Sequence, residues 1–218
     1  MNCVVIPVKA LAQGKSRLSA CLTPDMRRLL SQAMLRDVLK SACQAPMADG
    51  VAVVSSDPAL LAVAQQFGAM TIHEGHPRGL NGAATIGTDY CLSQGATAVL
   101  VLLADLPLVT AEDVELLFQS VDKNPNVILV PCKEGEGTNA LLRVPPLSIP
   151  TCFGGPSLAA HQAAARQHDV PCQVLHLPRV AFDLDTIEDL RWLARQPYSS
   201  HTTQALKSFS ITAATAKQ

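Results

Sequence analysis

Short β-branched apolar runs alternate with helical patterns from the first residues to about residue 130, and this alternation constrains the fold more than any other feature. Cys3 to Val8 reads as a buried strand. Thr23-Pro24 supplies an N-cap with proline at the first helical position. Met26, Leu29, Leu30, Ala33, Met34 and Val38 then recur at spacings of three and four, an amphipathic helix. Val51 to Val54 is a second strand, and Asp57-Pro58 caps a helix that Gly68 ends. Ala69 to Ile72 is a third strand, and after a His-, Gly- and Pro-rich loop Asn81 opens a helix to about Ser93. Thr97 to Leu103 is the most apolar strand. Thr110 and Asp113 predict a variant capping box, and Val127 to Val130 is again a strand. Such an order requires a parallel sheet covered on both faces.

Beyond it the pattern changes. Asn139 to Val144 reads as a strand, Pro145 to Pro150 as a loop, and Ser157 as the cap of a helix to about His168. Val174 to Leu177 and Val180 to Phe182 are expected as short strands, with a last helix over Thr186 to Arg195. These elements make one domain, 1–196. The segment 197–218 is rich in Ser, Thr, Ala, Gln and Lys without periodicity, and is expected to be a flexible tail.

Composition narrows the function classes. With 48% hydrophobic and 16% charged residues, 218 residues suffice for an ordinary core. A net charge of −1 gives no basic face for nucleic acid or an anionic membrane. No apolar run approaches the roughly 18 residues needed to span a bilayer. Seven cysteines, an odd number without a C-x-x-C, fit buried thiols in a reducing compartment, so a cytoplasmic, soluble protein is expected.

Ligands of an open parallel sheet bind outside the carboxyl ends of its strands, and three such places are chemically loaded. The loop after the first strand carries Lys9, Lys15, Ser16 and Arg17, which suit a triphosphate; the alternative is a solvated basic loop. Its glycine spacing is not that of a Walker loop. Asp105, in Leu103-Ala104-Asp105-Leu106-Pro107, follows the most buried strand, where a carboxylate is costly unless paired or bound to a cation. The alternative is a turn aspartate bonding its own backbone. Asp183 and Asp185 fall on one side of an extended segment and repel unless a cation or proton relieves them, though Asp185 could instead cap the last helix. Three hard oxygen ligands suit Mg²⁺. A basic loop beside an acidic metal site is equipment for phosphoryl or nucleotidyl transfer.

These segments resemble the 2-phospho-L-lactate guanylyltransferase family of coenzyme F(420) biosynthesis, relatives of the molybdopterin guanylyltransferases. The likeness runs from Val5 to about Leu193. It rests on Pro7-Val8-Lys9 with Lys15-Ser16-Arg17-Leu18, Ala33 to Leu39, Gly79-Leu80-Asn81, Asp105-Leu106-Pro107 and Gly137-Thr138-Asn139-Ala140-Leu141. Phe153-Gly154 with Ser157 and His161, then Asp183-Leu184-Asp185-Thr186, complete the order. The resemblance implies a single-domain, three-layer α/β nucleotidyltransferase, Rossmann-like and of the nucleotide-diphospho-sugar transferase type, with a mostly parallel sheet. It implies Mg²⁺ on Asp105, Asp183 and Asp185, with Asp105, Lys9, Lys15 and Arg17 acting in catalysis. It further implies that Thr138, Gly154 and Ser157 bind a phosphorylated acid, and that Gly79, Leu80, Asn81 and Ser16 lie at the nucleotide. Leu158 stands where many relatives carry an aromatic.

The expected reaction is GMP transfer from GTP to a phosphorylated three-carbon acid: 2-phospho-L-lactate, phosphoenolpyruvate or 3-phospho-D-glycerate. His161 is a possible general base, but a phosphomonoester with a second pKa of about 6 is already a dianionic nucleophile at neutral pH. A sugar-phosphate or molybdopterin transferase would carry a glycine-rich loop where Lys9-Ala10-Leu11-Ala12 stands. A non-catalytic nucleotide-binding relative would be free to lose an aspartate, and all three are present. Helices rich in Ala, Leu and Met leave room for a homodimer face.

Overall fold

Seven strands form one sheet in the order β3-β2-β1-β4-β6-β5-β7. They are β1 (Asn2–Pro7), β2 (Gly50–Ser55), β3 (Met70–His73), β4 (Ala98–Leu102), β5 (Asn126–Pro131), β6 (Thr138–Val144) and β7 (Cys172–Val174). The computed structural model describes residues 1–9, 18–122 and 124–209. Lys15, Ser16 and Arg17 therefore lie outside the described residues, as does the chain after Phe209.

All neighbouring strands run parallel except that β6 is antiparallel to both β4 and β5. Strands buried on both faces read as continuous apolar runs, and all five residues of β4 and all six of β5 are buried. The lone reversal matters for function. Because β6 starts at the edge where β4 and β5 end, Leu102 pairs with Ala140 and Pro131 with Thr138, so the first residues of β6 join the ligand-binding edge.

Helices cover both faces. Val4, Ile6, Leu100 and Ile128 of the sheet pack with Leu35 and Leu39 of α1 (Pro24–Gln44), Leu60 of α2 (Pro58–Gln65) and Leu117 of α4 (Ala111–Gln119). Val5, Val54, Val101 and Leu129 point the other way, toward α3 (Gly79–Ser93) and α5 (Ser157–Gln167). Gly87 allows α3 to approach so closely, since a Cβ there would lie 2.3 Å from Val5 Cγ1. The predicted starts at Thr23, Asp57 and Thr110 are all observed as N-caps, and Thr110 with Asp113 closes a full capping box.

Three local expectations need correcting. Val180 to Phe182 is not a strand: Pro178 opens a one-turn helix, α6 (Pro178–Ala181), because its fixed φ suits a first helical position and it has no ladder donor to offer. Ser157 is the first residue of α5 rather than its cap, and Pro156 stands at the N-cap. The segment from Pro197 is not a structureless tail over its described part. Ser200 and Thr203 form a capping box that opens α8 (His201–Ser208), and Asp37 of α1 holds its first turn. Leu206 and Phe209 then close a third apolar cluster with Leu18, Met34, Leu184 and, from α7 (Ile187–Ala194), Leu190 and Leu193. Among the described residues of this segment Leu206 and Phe209, with the partly buried Ala205, supply that apolar face, too few to register as a helical period.

Candidate active site

A cavity of about 590 Å³ opens along the carboxyl edge of the sheet, within the usual size of a small-molecule site. Val8 and Lys9 enter it from the end of β1, Asp105 from the end of β4, and Thr138 and Asn139 from the start of β6. Ser31 and Met34 of α1 form part of its floor.

One wall is acidic. The N–H of Leu184 donates to the Asp105 carbonyl at 3.1 Å, so the residues flanking Leu184, Asp183 and Asp185, are brought to Asp105. All three line the cavity. Burial, and then the charges of Asp105 and Asp185, push the Asp183 carboxyl above its ordinary pKa, opposed by hydrogen bonds from backbone and from Asn139 Nδ2 at 3.4 Å. Among the described residues no three His, Cys, Asp or Glu side chains are gathered closely enough to hold a metal ion, so Asp105, Asp183 and Asp185 share the cavity without forming a ready three-carboxylate site. Asp185 is not the cap of α7; Thr186 is, in a box with Asp189.

That acidic segment is held from behind by two residues that sequence reasoning did not place in the site. Lys133 Nζ donates to Asp189 Oδ1 at 2.6 Å and to the Asp183 carbonyl at 3.0 Å, and it stands 5.2 Å from the centre of the Phe182 ring. Asp189 Oδ2 accepts from the backbone N–H groups of Asp185 at 2.9 Å and Thr186 at 2.7 Å. Burial works against the Lys133 ammonium, but the Asp189 carboxylate, with Asp183 and Glu134, outweighs it and raises its pKa. Asp189 likewise gains more from Lys133 and the two N–H groups than burial costs, and its pKa is lowered. Asp189 stands three residues after Thr186, the spacing of a capping box. Lys133, 56 residues away in sequence, carried no signal.

Another stretch of the wall carries hydroxyls and glycine turns, and Glu136, whose carbonyl accepts from the Leu158 N–H at 3.0 Å, lines the cavity beside it. Thr138 and Ser157 line it with their hydroxyls 3.2 Å apart, and Gly154 and Gly155 turn the chain above them at φ +105° and +53°. Positive φ of this kind is open to glycine at little cost. Asn81 fixes that loop from α3: its amide donates to the Phe153 carbonyl and accepts the Phe153 N–H, both at 2.8 Å. Of the three residues expected at the nucleotide from this stretch, Leu80 lines the cavity, whereas Gly79 and Asn81 do not. His161 lies fully buried behind Thr138 rather than in the cavity, and burial, with Arg143 nearby, pushes its pKa down to about 4. A buried ring without access to the reacting atoms is no general base for them.

Sequence and fold comparisons find relatives over almost the whole chain. The profile of a family described as "Guanylyl transferase CofC like" matches residues 2–218. The phosphoenolpyruvate guanylyltransferase of Sphaerobacter thermophilus is 40% identical over 190 residues, covering 87% of this chain and 91% of that one. The 3-phospho-D-glycerate guanylyltransferase of Colwellia psychrerythraea is 32% identical over 210 residues, covering 96% and 98%. Among solved structures, a protein of Desulfovibrio desulfuricans G20 provisionally named a nucleotide-diphospho-sugar transferase superposes with a TM-score of 0.72. It covers 96% of this chain and 95% of its own at 16% identity, a likeness of fold alone.

Proposed function

The chain belongs to the CofC-like guanylyltransferase family, and we propose that it transfers GMP from GTP to a phosphorylated three-carbon acid, in coenzyme F(420) biosynthesis. The observation that carries this reading is the division of one cavity into an acidic wall and a donor wall. Asp105, Asp183 and Asp185 face a triphosphate only if a cation lies between them, whereas Thr138, Ser157 and the Gly154–Gly155 turn suit an anion directly.

The residues present fit Mg²⁺. Their donor atoms are carboxylate oxygens, and the repulsion felt at Asp183 is of the kind a cation relieves. Since no three such side chains are gathered for a metal among the described residues, the ion would be held by one or two of these carboxylates together with substrate phosphates and water. When bound, Mg²⁺ supplies positive charge against the triphosphate and the departing pyrophosphate.

The chain's own residues do the rest by position. Lys9, and with it Lys15, Ser16 and Arg17 of the same loop, bind the β- and γ-phosphates; Leu80 lies against the nucleoside. Thr138, Gly154 and Ser157 seat the acid so that its phosphate approaches the α-phosphorus. One oxygen of that phosphate then forms a bond to the α-phosphorus as the bond to the β-bridging oxygen breaks, and pyrophosphate leaves with the electron pair. The nucleophile is already a dianion, so no side chain removes a proton. The acid is phosphoenolpyruvate or 3-phospho-D-glycerate, as named for the two relatives, or 2-phospho-L-lactate.

The test is pyrophosphate release from GTP with each acid in turn. The reading requires release that depends on the acid and on Mg²⁺ and is selective for GTP over ATP and CTP. Release indifferent to the acid, or none with any of the three, would overturn it.

A further inference from the structure

His161 has no part in the reaction as a base, yet its surroundings dictate which of its nitrogens carries the proton. Nε2 lies 2.8 Å from the backbone N of Cys152. A backbone N–H can only donate, so Nε2 must present its lone pair and the proton of the neutral ring sits on Nδ1. Protonating Nε2 would set two donors against each other, and burial beside the Arg143 guanidinium opposes the charge as well, in keeping with a pKa near 4. The Phe153 ring, edge-on with centroids 4.9 Å apart, stands against the imidazole.

Nδ1 lies 3.1 Å from Thr138 Oγ1, which in turn lies 3.2 Å from Ser157 Oγ. Nδ1–H can then donate to Thr138, with the Ser157 carbonyl a second acceptor near the ring, and in neither case can Nδ1 accept; the two hydroxyls share one hydrogen bond between them. Two hydroxyl protons minus one used in that bond leaves one, and the imidazole cannot take it. With the proton on Nε2 instead, Thr138 would donate to Nδ1 and Ser157 to Thr138, and neither hydroxyl would have a proton left. Both side chains are buried, 3% exposed each, and both line the cavity.

We infer that His161 is a positioning residue which, fixed as the Nδ1–H tautomer by the Cys152 amide, turns one hydroxyl proton of the Thr138–Ser157 pair into the cavity as a donor to an anionic oxygen of the acceptor acid. The inference rests on the reading of that wall as the acceptor site. It assigns the ring a task performed through two other residues, without contact with the substrate.

Two measurements test it. The first is nitrogen-15 NMR of the histidine rings of the intact protein, with His161 assigned by its loss in His161→Leu. The inference requires Nδ1–H and a bare Nε2 across about pH 5.5 to 8; an Nε2–H tautomer or an imidazolium in that range overturns it. The second is calorimetric binding of phosphoenolpyruvate and of 3-phospho-D-glycerate to the wild type, His161→Leu and His161→Asn. His161→Leu is expected to weaken the better-bound acid about tenfold or more while the KM for GTP moves less than about twofold. His161→Asn, whose amide N–H can replace Nδ1–H, recovers most of that loss. Acid binding unchanged in His161→Leu overturns the inference, and should that variant not fold, the tautomer and His161→Asn decide. Wild-type protein that binds an acid yet transfers no GMP would defeat the guanylyl-transfer reading alone, leaving the binding comparison to judge His161.

Discussion

Leu184 donates its backbone N–H to the carbonyl oxygen of Asp105 at 3.1 Å, joining two segments 79 residues apart in sequence (184 − 105). This bond brings the end of β4 and the segment between α6 and α7 together as one acidic wall. Asp183 and Asp185 flank the residue that makes it, and the raised pKa of Asp183 records, after burial, the repulsion from Asp105 and then Asp185.

A carboxyl whose folded pKa is raised favours the fold at acid pH and costs stability once ionised, so at neutral pH Asp183 is a burden that a bound cation would relieve. Asp183→Asn is expected to raise the melting temperature of the metal-free protein by on the order of 2 °C. It should also remove most of the stabilisation that Mg²⁺ gives the wild type in the presence of GTP. Thermal unfolding with and without Mg²⁺ checks both. A wild type indifferent to the ion would contradict the assignment.

The Lys133–Asp189 pair is expected to matter more for activity than for stability. Lys133 is partly exposed, so its ion pair with Asp189 stabilises the fold by only about 1 kcal/mol. Yet the pair holds both the Asp183 carbonyl and the Asp185 N–H. Lys133→Met should therefore cut kcat/KM by about 10- to 100-fold and raise the Mg²⁺ concentration needed for half-maximal rate. A variant with unchanged Mg²⁺ dependence would show that the clamp does not set the carboxylates.

His161 gives a pH signature of opposite sign to Asp183. Its folded pKa of about 4 lies below its ordinary 6.5, so stability is fully present above pH 6.5 and falls as pH drops toward 4. The loss amounts to at most about 3 kcal/mol, at 1.36 kcal/mol per pKa unit. Urea unfolding between these limits should show a shallower slope in His161→Leu than in the wild type. Parallel slopes would contradict a neutral buried ring.

Asp37 ties the C-terminal helix to the body. Its carboxylate accepts from the N–H groups of His201 at 2.8 Å and Thr202 at 2.9 Å and from the Thr202 hydroxyl at 2.6 Å, and it is 6% exposed. Asp37→Ala should cost about 2–4 kcal/mol in urea unfolding, through the lost cap and the orphaned donors. Because Leu206 shares a cluster with Leu184, the residue between Asp183 and Asp185, activity should be lost at a lower temperature as well. An unchanged urea midpoint would mean that α8 is held by its apolar contacts alone.

What could be read in advance followed local chemistry. Strands buried on both faces had to be apolar, so Val4 to Ile6 and Leu100 to Leu102 were evident, and caps such as Thr110 with Asp113 announced helix starts. Asp105, Asp183 and Asp185 stood out because carboxylates expected at strand ends demand an explanation, although Asp183 and Asp185 prove to follow α6 rather than a strand. What could not be read depends on partners distant in sequence. Nothing near Lys133 forecasts Asp189, nothing near Asp37 forecasts Thr202, and the Asn81 side chain proved to serve the Phe153 backbone. The helix at His201 was missed because its packing face is carried by few residues.

The central claim is that the two walls of one cavity bring GTP and a phosphorylated acid together for direct transfer of GMP. The measurement that tests it most directly is the mass of the product formed by the purified protein from GTP and Mg²⁺ with phosphoenolpyruvate, 3-phospho-D-glycerate and 2-phospho-L-lactate. The account predicts, with at least one of them, a guanosine diphosphate-linked acid formed in equal amount to pyrophosphate, and its loss in Asp105→Asn. No guanylylated product from any of the three, or full turnover by a folded Asp105→Asn, would contradict it.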